Sequence, residues 1–244
     1  MAVAANQSEQ ENIGLNEAID ALESLSNYRD WMMDEFGADL HGHTVEIGAG
    51  AGNISEKLLK LVPSVDAVEP SRELGQRLVA RLSDNPNLNI HHAMAEDWLV
   101  EAETASCDSI VMINVLEHIE DDSGALRQMY RTLRPDGALL LFVPALSFLF
   151  SRLDHEHGHY RRYSKRQLRE AVDAAGFSIQ RAKYIDMAGI LPWLIFNKWM
   201  GKTEFDPKMV GLYDRFGIPV TRCIEKLTGS PIGKNVLLVA RKEA

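Results

Sequence analysis

The feature of this sequence that most constrains its fold is the run Val-Glu-Ile-Gly-Ala-Gly-Ala-Gly at positions 45–52. A short apolar stretch ends there in three glycines at alternate positions, Gly48, Gly50 and Gly52. Because glycine has no Cβ, it adopts positive φ at little cost and lets a ligand lie against bare backbone. The run therefore predicts a strand that turns sharply into a helix near Asn53, with a nucleotide-like cofactor at the turn.

From residue 43 onward, strand-like and helix-like segments alternate at the spacing typical of βαβ units. The predicted strands cover residues 44–47, 65–68, 87–91, 108–113, 138–143, 177–184 and 235–240. The predicted fold is α/β: a Rossmann-like, seven-stranded, mostly parallel sheet with helices on both faces. The predicted helices carry Ile54, Leu58 and Leu61; Leu74, Leu78 and Leu82 behind a Ser71 N-cap; Leu126, Met129 and Leu133 before an Arg-Pro-Asp-Gly turn at 134–137; and residues 165–175.

Two regions lie outside this alternation. Apolar residues from Leu15 through Ile19 and Leu22 to Trp31 and Phe36 predict one or two amphipathic helices, so residues 1–42 are interpreted as an N-terminal helical lid. Residues 43–244 then form the main domain, with an insertion at about 187–232. The apolar part of that insertion, 188–196, is shorter than the roughly 18 residues that span a bilayer, and Pro192 interrupts it. We expect the insertion to be a lid or a subunit contact.

The composition narrows the class of partners. The chain has 244 residues and a formal net charge of −9, which argues against general adhesion to nucleic acid or anionic membrane. Cys107 and Cys223 show no metal-ligand spacing, and the N-terminus shows no export signal. We therefore expect free thiols, a cytoplasmic protein, no transmembrane segment and no nucleic-acid partner.

An acidic residue at the end of the second predicted strand, Glu69, strengthens the prediction of an adenosine cofactor. A carboxylate at that strand tip can accept hydrogen bonds from both ribose hydroxyls. The dinucleotide fingerprint G-x-G-x-x-G would need its third glycine at position 53, where Asn53 stands. An NAD-type oxidoreductase nevertheless stays an alternative, because it would use the same carboxylate. A module that binds the cofactor without catalysis is the second alternative.

Four stretches together resemble the class I S-adenosylmethionine-dependent methyltransferases. Glu46 to Gly52 resembles motif I, E/D-x-G-x-G-x-G, and residues 93–98 resemble a G-D-A-E-D-L stretch with Met94 in place of the aspartate. Residues 114–119, N-V-L-E-H-I, match a stretch common in small-molecule members, and 134–137 resembles an L-R-P-G-G turn. The resemblance spans about residues 43–143 and is closest in kind to the branch that includes quinone-biosynthesis enzymes. It implies strand order 3-2-1-4-5-7-6 with the last strand antiparallel, S-adenosylmethionine as cofactor and a small-molecule acceptor.

The resemblance also implies a set of cofactor-binding residues on the glycine loop, the strand tips and the lid. Glu96 and Asp97 are both candidates for the acceptor of the adenine amino group, and for Tyr28 packing in the core is an equal alternative. The set comprises Tyr28, Glu46, Gly48, Ala49, Gly50, Gly52, Glu69, Pro70, Ala95, Glu96, Asp97 and Asn114.

The segment Asp-His-Glu-His-Gly-His-Tyr-Arg-Arg-Tyr-Ser at 154–164 concentrates ionisable and aromatic groups behind the fifth predicted strand. Loops at the carboxyl ends of parallel strands line the ligand crevice. The catalytic candidates are therefore His159, Tyr160 and His118, and the substrate-binding candidates are His155, Arg162, Tyr163 and Trp193. A helix capped by Ser164 with a solvated basic face is the alternative, and for His118 so is a turn-holding hydrogen bond.

No metal is predicted. His155, His157 and His159 stand at alternate positions, with Asp154 and Glu156 nearby to fix their tautomers, but alternate histidines in a loop seldom point to one place. Methyl transfer from a sulfonium also needs no Lewis acid.

The resulting hypothesis is methyl transfer to an oxygen, nitrogen or carbon nucleophile of a small molecule. The basic, histidine-rich loop suits an anionic or phenolic acceptor, and the apolar insertion suits a prenylated or lipid-like one. Peripheral membrane contact and an oligomer through the insertion both stay open.

Overall fold

The computed structural model describes residues 25–202 and 206–243, and its centre is a seven-stranded sheet. The strands are β1 His43–Ile47, β2 Ser64–Val68, β3 Leu88–His91, β4 Cys107–Ile113, β5 Leu133–Pro144, β6 Ser178–Ile185 and β7 Asn235–Arg241. Their order is β3-β2-β1-β4-β5-β7-β6, β7 runs antiparallel to both neighbours, and the pairs among β1 to β5 are parallel. The predicted fold class and strand order are confirmed.

Helices cover both faces of the sheet because the central strands are apolar on both sides. They are α1 Ser26–Phe36, α2 Ser55–Leu58, α3 Arg72–Leu82, α4 Ala95–Glu101, α5 Asp122–Thr132, α6 Arg152–Glu156 and α7 Lys165–Ala174. Alternate residues of β5 enter opposite clusters: Leu139 packs with Leu126 of α5, whereas Leu140 packs with Phe36 of α1. This alternation is the period of two expected of a strand buried on both faces.

Local hydrogen bonds fix the start of two crossover helices. Ser71 caps α3 by accepting from the Leu74 amide at 3.3 Å. Ser164 caps α7 in a capping box with Gln167. Such caps satisfy amide groups that the first helical turn leaves without partners. The predicted N-cap at Ser71 is confirmed, and so is the Ser164 cap.

Two local predictions are wrong. Leu133 belongs to β5, not to the preceding helix, because α5 ends at Thr132 and Leu133 pairs with Cys107. The predicted turn at 134–137 is kept as an irregular stretch inside β5: these residues pair with no residue of β4, and Asp136 takes a φ of 64°. Regular pairing with β4 resumes only at Ala138, as expected beyond such an irregularity. Leu61 is 51% exposed because α2 ends three residues earlier.

The insertion between β6 and β7 is helical. α8 Ile190–Pro192 continues into a π-helical segment, Trp193–Trp199, and α9 Pro207–Leu212 continues through a π-helical segment, Tyr213–Gly217, into α10 Ile218–Thr228. Ile185 at the end of β6 pairs with Asn235 at the start of β7, so the insertion begins and ends at the edge where the parallel strands have their carboxyl ends. Within the described parts of the chain, no helix combines the length and hydropathy needed to cross a membrane.

The N-terminal prediction is confirmed only in part. α1 forms, and Trp31 and Phe36 are buried in the core. Leu15, Ile19 and Leu22 lie outside the described residues. The division at residue 42 and the lid role of residues 1–42 stay predictions.

Candidate functional site

The loop after β1 exposes backbone to a ligand at one glycine. Gly48, Gly50 and Gly52 have φ values of +80°, +55° and +85°. A Cβ at Gly48 would lie 2.2 Å from Val115 Cγ2 and one at Gly52 2.5 Å from Leu78 Cδ1, whereas one at Gly50 would meet no atom within 4 Å. Packing therefore requires Gly48 and Gly52, while Gly50 leaves open space over bare backbone, as a nucleotide-like ligand needs.

Glu69 connects this loop to the next helix. Its side chain follows β2 and is buried, with Oε2 accepting from the Gly50 amide at 2.7 Å and Oε1 from the Ser71 amide at 2.8 Å. Each carboxylate oxygen can accept a second hydrogen bond. The carboxylate is thus held by backbone and retains capacity for two hydroxyl donors. Pro70, next to it, is exposed.

Glu46 is a second carboxyl group under the glycine loop. It is 3% exposed and accepts a hydrogen bond from Ser55 Oγ. Burial raises the pKa of Glu46 to about 8, against the hydrogen bond from Ser55 and with the help of the negative charge of Glu69. A carboxyl group in this state is mostly protonated at neutral pH and ionises when a cation approaches.

The other predicted cofactor residues lie along the same edge of the sheet. Ala95 is buried in the first turn of α4, where Glu96 and Asp97 are exposed, so both carboxylates stay candidates for the adenine amino group. Asn114 directly follows β4 and has a φ of 52°, a conformation that asparagine tolerates better than most residues. Its neighbour Val115 contacts the Gly48 position.

Asp154, on α6, organises the side of the crevice beyond β5. Its Oδ1 accepts from Arg162 Nε at 2.7 Å and lies 2.9 Å from His159 Nδ1, and its Oδ2 accepts from the amide and hydroxyl of Ser151. Burial alone would raise the pKa of Asp154, but the hydrogen bond from His159 and the charge of Arg162 lower it to about 2. An ionised carboxylate only accepts hydrogen bonds, so Nδ1 of His159 is the donor in this contact and Nε2 takes no part in it.

Glu117 and His118 meet His159 in a small polar group. The His118 and His159 rings contact edge to face with centroids 4.5 Å apart. Glu117 is fully buried, and neither of its carboxylate oxygens has a hydrogen-bond partner among the described residues. The candidate ligand atoms of the three residues all lie within 4.8 Å of one another. By donor type this group could also hold a divalent cation.

The two residues beside His159, Glu117 and His118, are both mostly uncharged at neutral pH. Burial raises the pKa of Glu117 to about 8. His118 is exposed at the surface, yet partial desolvation of its ring and the neighbouring rings of His159 and His157 lower its pKa. At neutral pH, His118 is therefore an uncharged imidazole and Glu117 is mostly an uncharged acid.

The remaining predicted catalytic and substrate-binding residues separate into three groups. Arg162 is buried, with its guanidinium carbon 4.4 Å from the centre of the Trp193 ring. Tyr160 and His155 are exposed at the surface. Tyr163 is buried and donates its hydroxyl to Asp122 at 2.8 Å. The structure thus places Arg162 between Asp154 and Trp193, while the roles predicted for all five residues stay predictions.

Tyr28 belongs to a buried network that sequence reasoning did not detect. Its hydroxyl lies 3.1 Å from Asp186 Oδ2 and 3.0 Å from Asn235 Oδ1, and its ring packs edge-on against Phe142. Asp186 also pairs with Lys234 at 3.0 Å and binds the Tyr213 hydroxyl. These partners occupy the Tyr28 hydroxyl, and its cofactor role stays a prediction.

Asp214, which lies in the insertion, adds a second contact with α1. It accepts from the backbone amides of Asn27 and Tyr28 at 3.0 and 2.9 Å. No local sequence signal could have shown this contact, because the partners are more than 180 positions apart. Asp154 and Glu117, by contrast, stand beside histidines that the sequence had already marked.

A family model described as a methyltransferase domain matches residues 20–182. The ubiquinone biosynthesis O-methyltransferase of Xanthomonas oryzae pv. oryzae is 33% identical over 184 residues, which cover 68% of this chain and 74% of that protein. The enzyme of the same description from Methylocella silvestris is 29% identical over 149 residues, 55% of this chain and 57% of that protein. The chain thus covers less than two thirds of the second relative's length.

Solved structures share the fold at low sequence identity. Phosphoethanolamine N-methyltransferase 2 from Haemonchus contortus, in complex with S-adenosyl-L-methionine, has a TM-score of 0.63 at 17% identity, covering 90% of this chain and 53% of that chain. The [4+2]-cyclase SpnF has a TM-score of 0.60 at 17% identity, covering 89% and 81%. A cyclase among these neighbours illustrates that the fold hosts more than one chemistry.

Proposed function

The chain belongs to the methyltransferase domain family, and we propose that it methylates a hydroxyl oxygen of a phenolic small molecule. S-adenosylmethionine-dependent methyl transfer to a small molecule is the activity that the family match gives. The NAD-type oxidoreductase and the non-catalytic module are not favoured by that match. Relatives described as O-methyltransferases support oxygen as the acceptor atom.

The residues at the carboxyl ends of β1 to β4 suit this cofactor. Open space above Gly50 fits a ligand that lies on the backbone, and Glu69 offers acceptors for the ribose hydroxyls. Ala49, Pro70, Ala95 and the carboxylates of α4 would complete the adenosine site. When bound, S-adenosylmethionine supplies an electrophilic methyl group and a neutral leaving group.

The observation that supports an oxygen acceptor is the contact between Asp154 and His159. Asp154 Oδ1 lies 2.9 Å from His159 Nδ1 and orients the ring, and we assign Nε2 as the base that takes the proton of a phenolic hydroxyl. Loss of that proton makes the oxygen a stronger nucleophile. A general base of this kind typically contributes a factor of about 10² to 10⁴ to the rate.

An apolar wall stands beside the base. Trp193 of the insertion donates its indole proton to Leu149 O at 3.1 Å and packs, with Ile190 and Leu194, against the main core. Such a wall excludes water and suits an acceptor with an apolar substituent. We therefore expect a phenol with an apolar tail to be methylated faster than the bare ring.

The test is release of S-adenosylhomocysteine from purified protein given a catechol or an aniline of matched size. Turnover is expected with the catechol, and His159→Ala should lower kcat by about 10² to 10⁴ without changing cofactor affinity. His41→Ala, at the opposite edge of the sheet, is the matched control and should keep full activity. Equal kcat in His159→Ala, or turnover of aniline only, would refute the proposal. Loss of wild-type turnover in a chelator would show that His159 acts as a ligand and not as a base.

A further inference from the structure

The insertion carries a stripe of apolar side chains that nothing covers in the described part of the molecule. The stripe runs along α9, the π-helical segment 213–217 and α10, at intervals of three or four residues. Its exposed fractions are 52% for Met209, 62% for Leu212, 57% for Phe216, 58% for Val220, 44% for Ile224 and 81% for Leu227. An amphipathic surface helix normally turns such a face toward the core.

The opposite face of the same helical segment is already packed. Ile218 and Thr221 are buried there, and Asp214 accepts two backbone amides of α1. Arg222 also pairs with Asp34 of α1 at 2.8 Å. These contacts fix the rotation of the helix, so the stripe cannot turn inward and is left uncovered by the described residues.

The charge of the insertion differs from that of the whole protein. Residues 187–232 contain six Lys or Arg against four Asp or Glu, whereas the chain has 26 against 35. Asp214 is buried and Glu225 accepts the Met187 amide at 2.7 Å, so both face inward. Basic residues precede three members of the stripe directly, at Lys208, Arg215 and Lys226, and all three are exposed.

We propose that this stripe is a docking surface for an anionic lipid bilayer. Apolar side chains on one face with basic residues beside them are what a helix lying in the interface of an anionic membrane requires. A second copy of the chain fits less well, because a two-fold contact would bring the same basic residues together.

The apolar stripe lies on the same insertion that borders the candidate active site, so docking would bring that site close to the membrane. The insertion starts and ends at the carboxyl edge of the sheet, and Trp193 from the same insertion contacts Arg162. Docking therefore holds the catalytic edge near the lipid. Exposed Leu191, Trp199 and Met200 on the preceding helical segment of the insertion add apolar area. This inference goes beyond the proposed function and does not depend on it, because binding is measured without turnover.

The test is flotation with vesicles of phosphatidylcholine alone or with about 30 mol % phosphatidylglycerol. The full chain should float with the anionic vesicles and bind at least about tenfold less to the neutral ones or at high salt. Leu212→Glu with Phe216→Glu, both exposed, should reduce binding about tenfold, and Lys208→Glu with Lys226→Glu should do so only on anionic vesicles. Val100→Glu on α4, where Val100 is 65% exposed, is the matched control.

Cys223 provides a second readout. It is exposed on α10 next to Ile224, whereas Cys107 is buried, so a thiol-reactive, polarity-sensitive dye labels the stripe. The emission of the dye should shift to shorter wavelength when the labelled protein is mixed with anionic vesicles. Absence of binding, equal binding by the Leu212 and Phe216 variant, or a solution dimer that this variant dissociates without vesicle binding would each overturn the proposal. Unchanged melting temperature and cofactor affinity establish that the variants are folded.

Discussion

The two halves of the crevice are built in different ways. On the β1 to β3 side, backbone supplies the geometry: Glu69 is held by the amides of Gly50 and Ser71, and the glycines set the loop. On the side beyond β5, side chains hold one another, with Asp154 between Arg162 and His159. Backbone geometry tolerates the loss of one side chain, whereas buried charges depend on each other. The comparison predicts that the Glu69 side chain can be removed with little loss of stability, whereas the Asp154 carboxylate cannot.

The largest effect on stability is expected from Asp154→Asn. The substitution leaves the Arg162 guanidinium buried without its counter-charge, so the free energy of unfolding at neutral pH should fall by about 3–5 kcal/mol. Urea unfolding measures this difference. The double variant Asp154→Asn, Arg162→Met should recover part of the loss, because no charge is then left unpaired. Wild-type stability in the single variant would show that the two halves of the crevice do not differ in this way.

The same pair predicts a pH response. The folded-state pKa of Asp154, about 2, lies below its ordinary value of 3.8, so its contribution to stability is complete above about pH 4 and is lost as the pH falls toward 2. The gap between wild type and Asp154→Asn should therefore narrow over that range. Urea titrations at several pH values measure it, and a constant gap would show that the carboxylate is not the source.

A smaller effect is expected from Glu69→Ala on the cofactor side. Loss of hydrogen bonds from two ribose hydroxyls to a carboxylate should weaken S-adenosylmethionine binding by about 1.5–3 kcal/mol, roughly 10- to 150-fold. Calorimetry measures the affinity, and kcat at saturating cofactor should change little. Glu69→Gln, which keeps the shape, should lie between the two. Unchanged affinity in Glu69→Ala would remove the ribose assignment.

Gly50→Ala and Gly48→Ala separate ligand contact from packing. At Gly50, alanine at positive φ should lower stability by about 1–2 kcal/mol and, in addition, weaken cofactor binding, because its methyl group fills the open space. Gly48→Ala adds a clash with Val115 and should be less stable still. Thermal unfolding and calorimetry give the two quantities. Normal cofactor binding by Gly50→Ala would show that this backbone does not contact the ligand.

The smallest change in stability is expected from Glu46→Gln at mildly acidic pH. The folded-state pKa of Glu46, about 8, lies above its ordinary value of 4.5, so the wild type loses stability as the pH rises from about 4.5 to 8. The glutamine variant has no proton to lose, and its advantage over the wild type should grow across that range. The two halves of the crevice thus respond to pH in opposite directions. Parallel melting curves in the two proteins would contradict this.

Sequence patterns predicted the fold, and they marked the glycine loop and the acidic strand end as the proposed cofactor side, because both depend on local rules. Glycine spacing and an acidic strand end are visible in one segment of chain, and the structure brings Gly50 and Glu69 into contact. Burial of Glu117 and the contact of Asp186 with Tyr28 depend on tertiary packing, so in the sequence these carboxylates look like any solvated charge. At 134–137 the turn signal corresponds to a register shift within β5, between the residues that pair with Cys107 and Ser109.

Through Asp214, the insertion stabilises the start of α1, a helix far from it in sequence. Its carboxylate receives amide protons that the first turn of α1 would otherwise present to solvent or leave unsatisfied. Excising residues 187–232 to obtain a minimal enzyme would therefore also loosen the helix that begins at Ser26. Engineers who shorten this protein should graft a new acceptor there first.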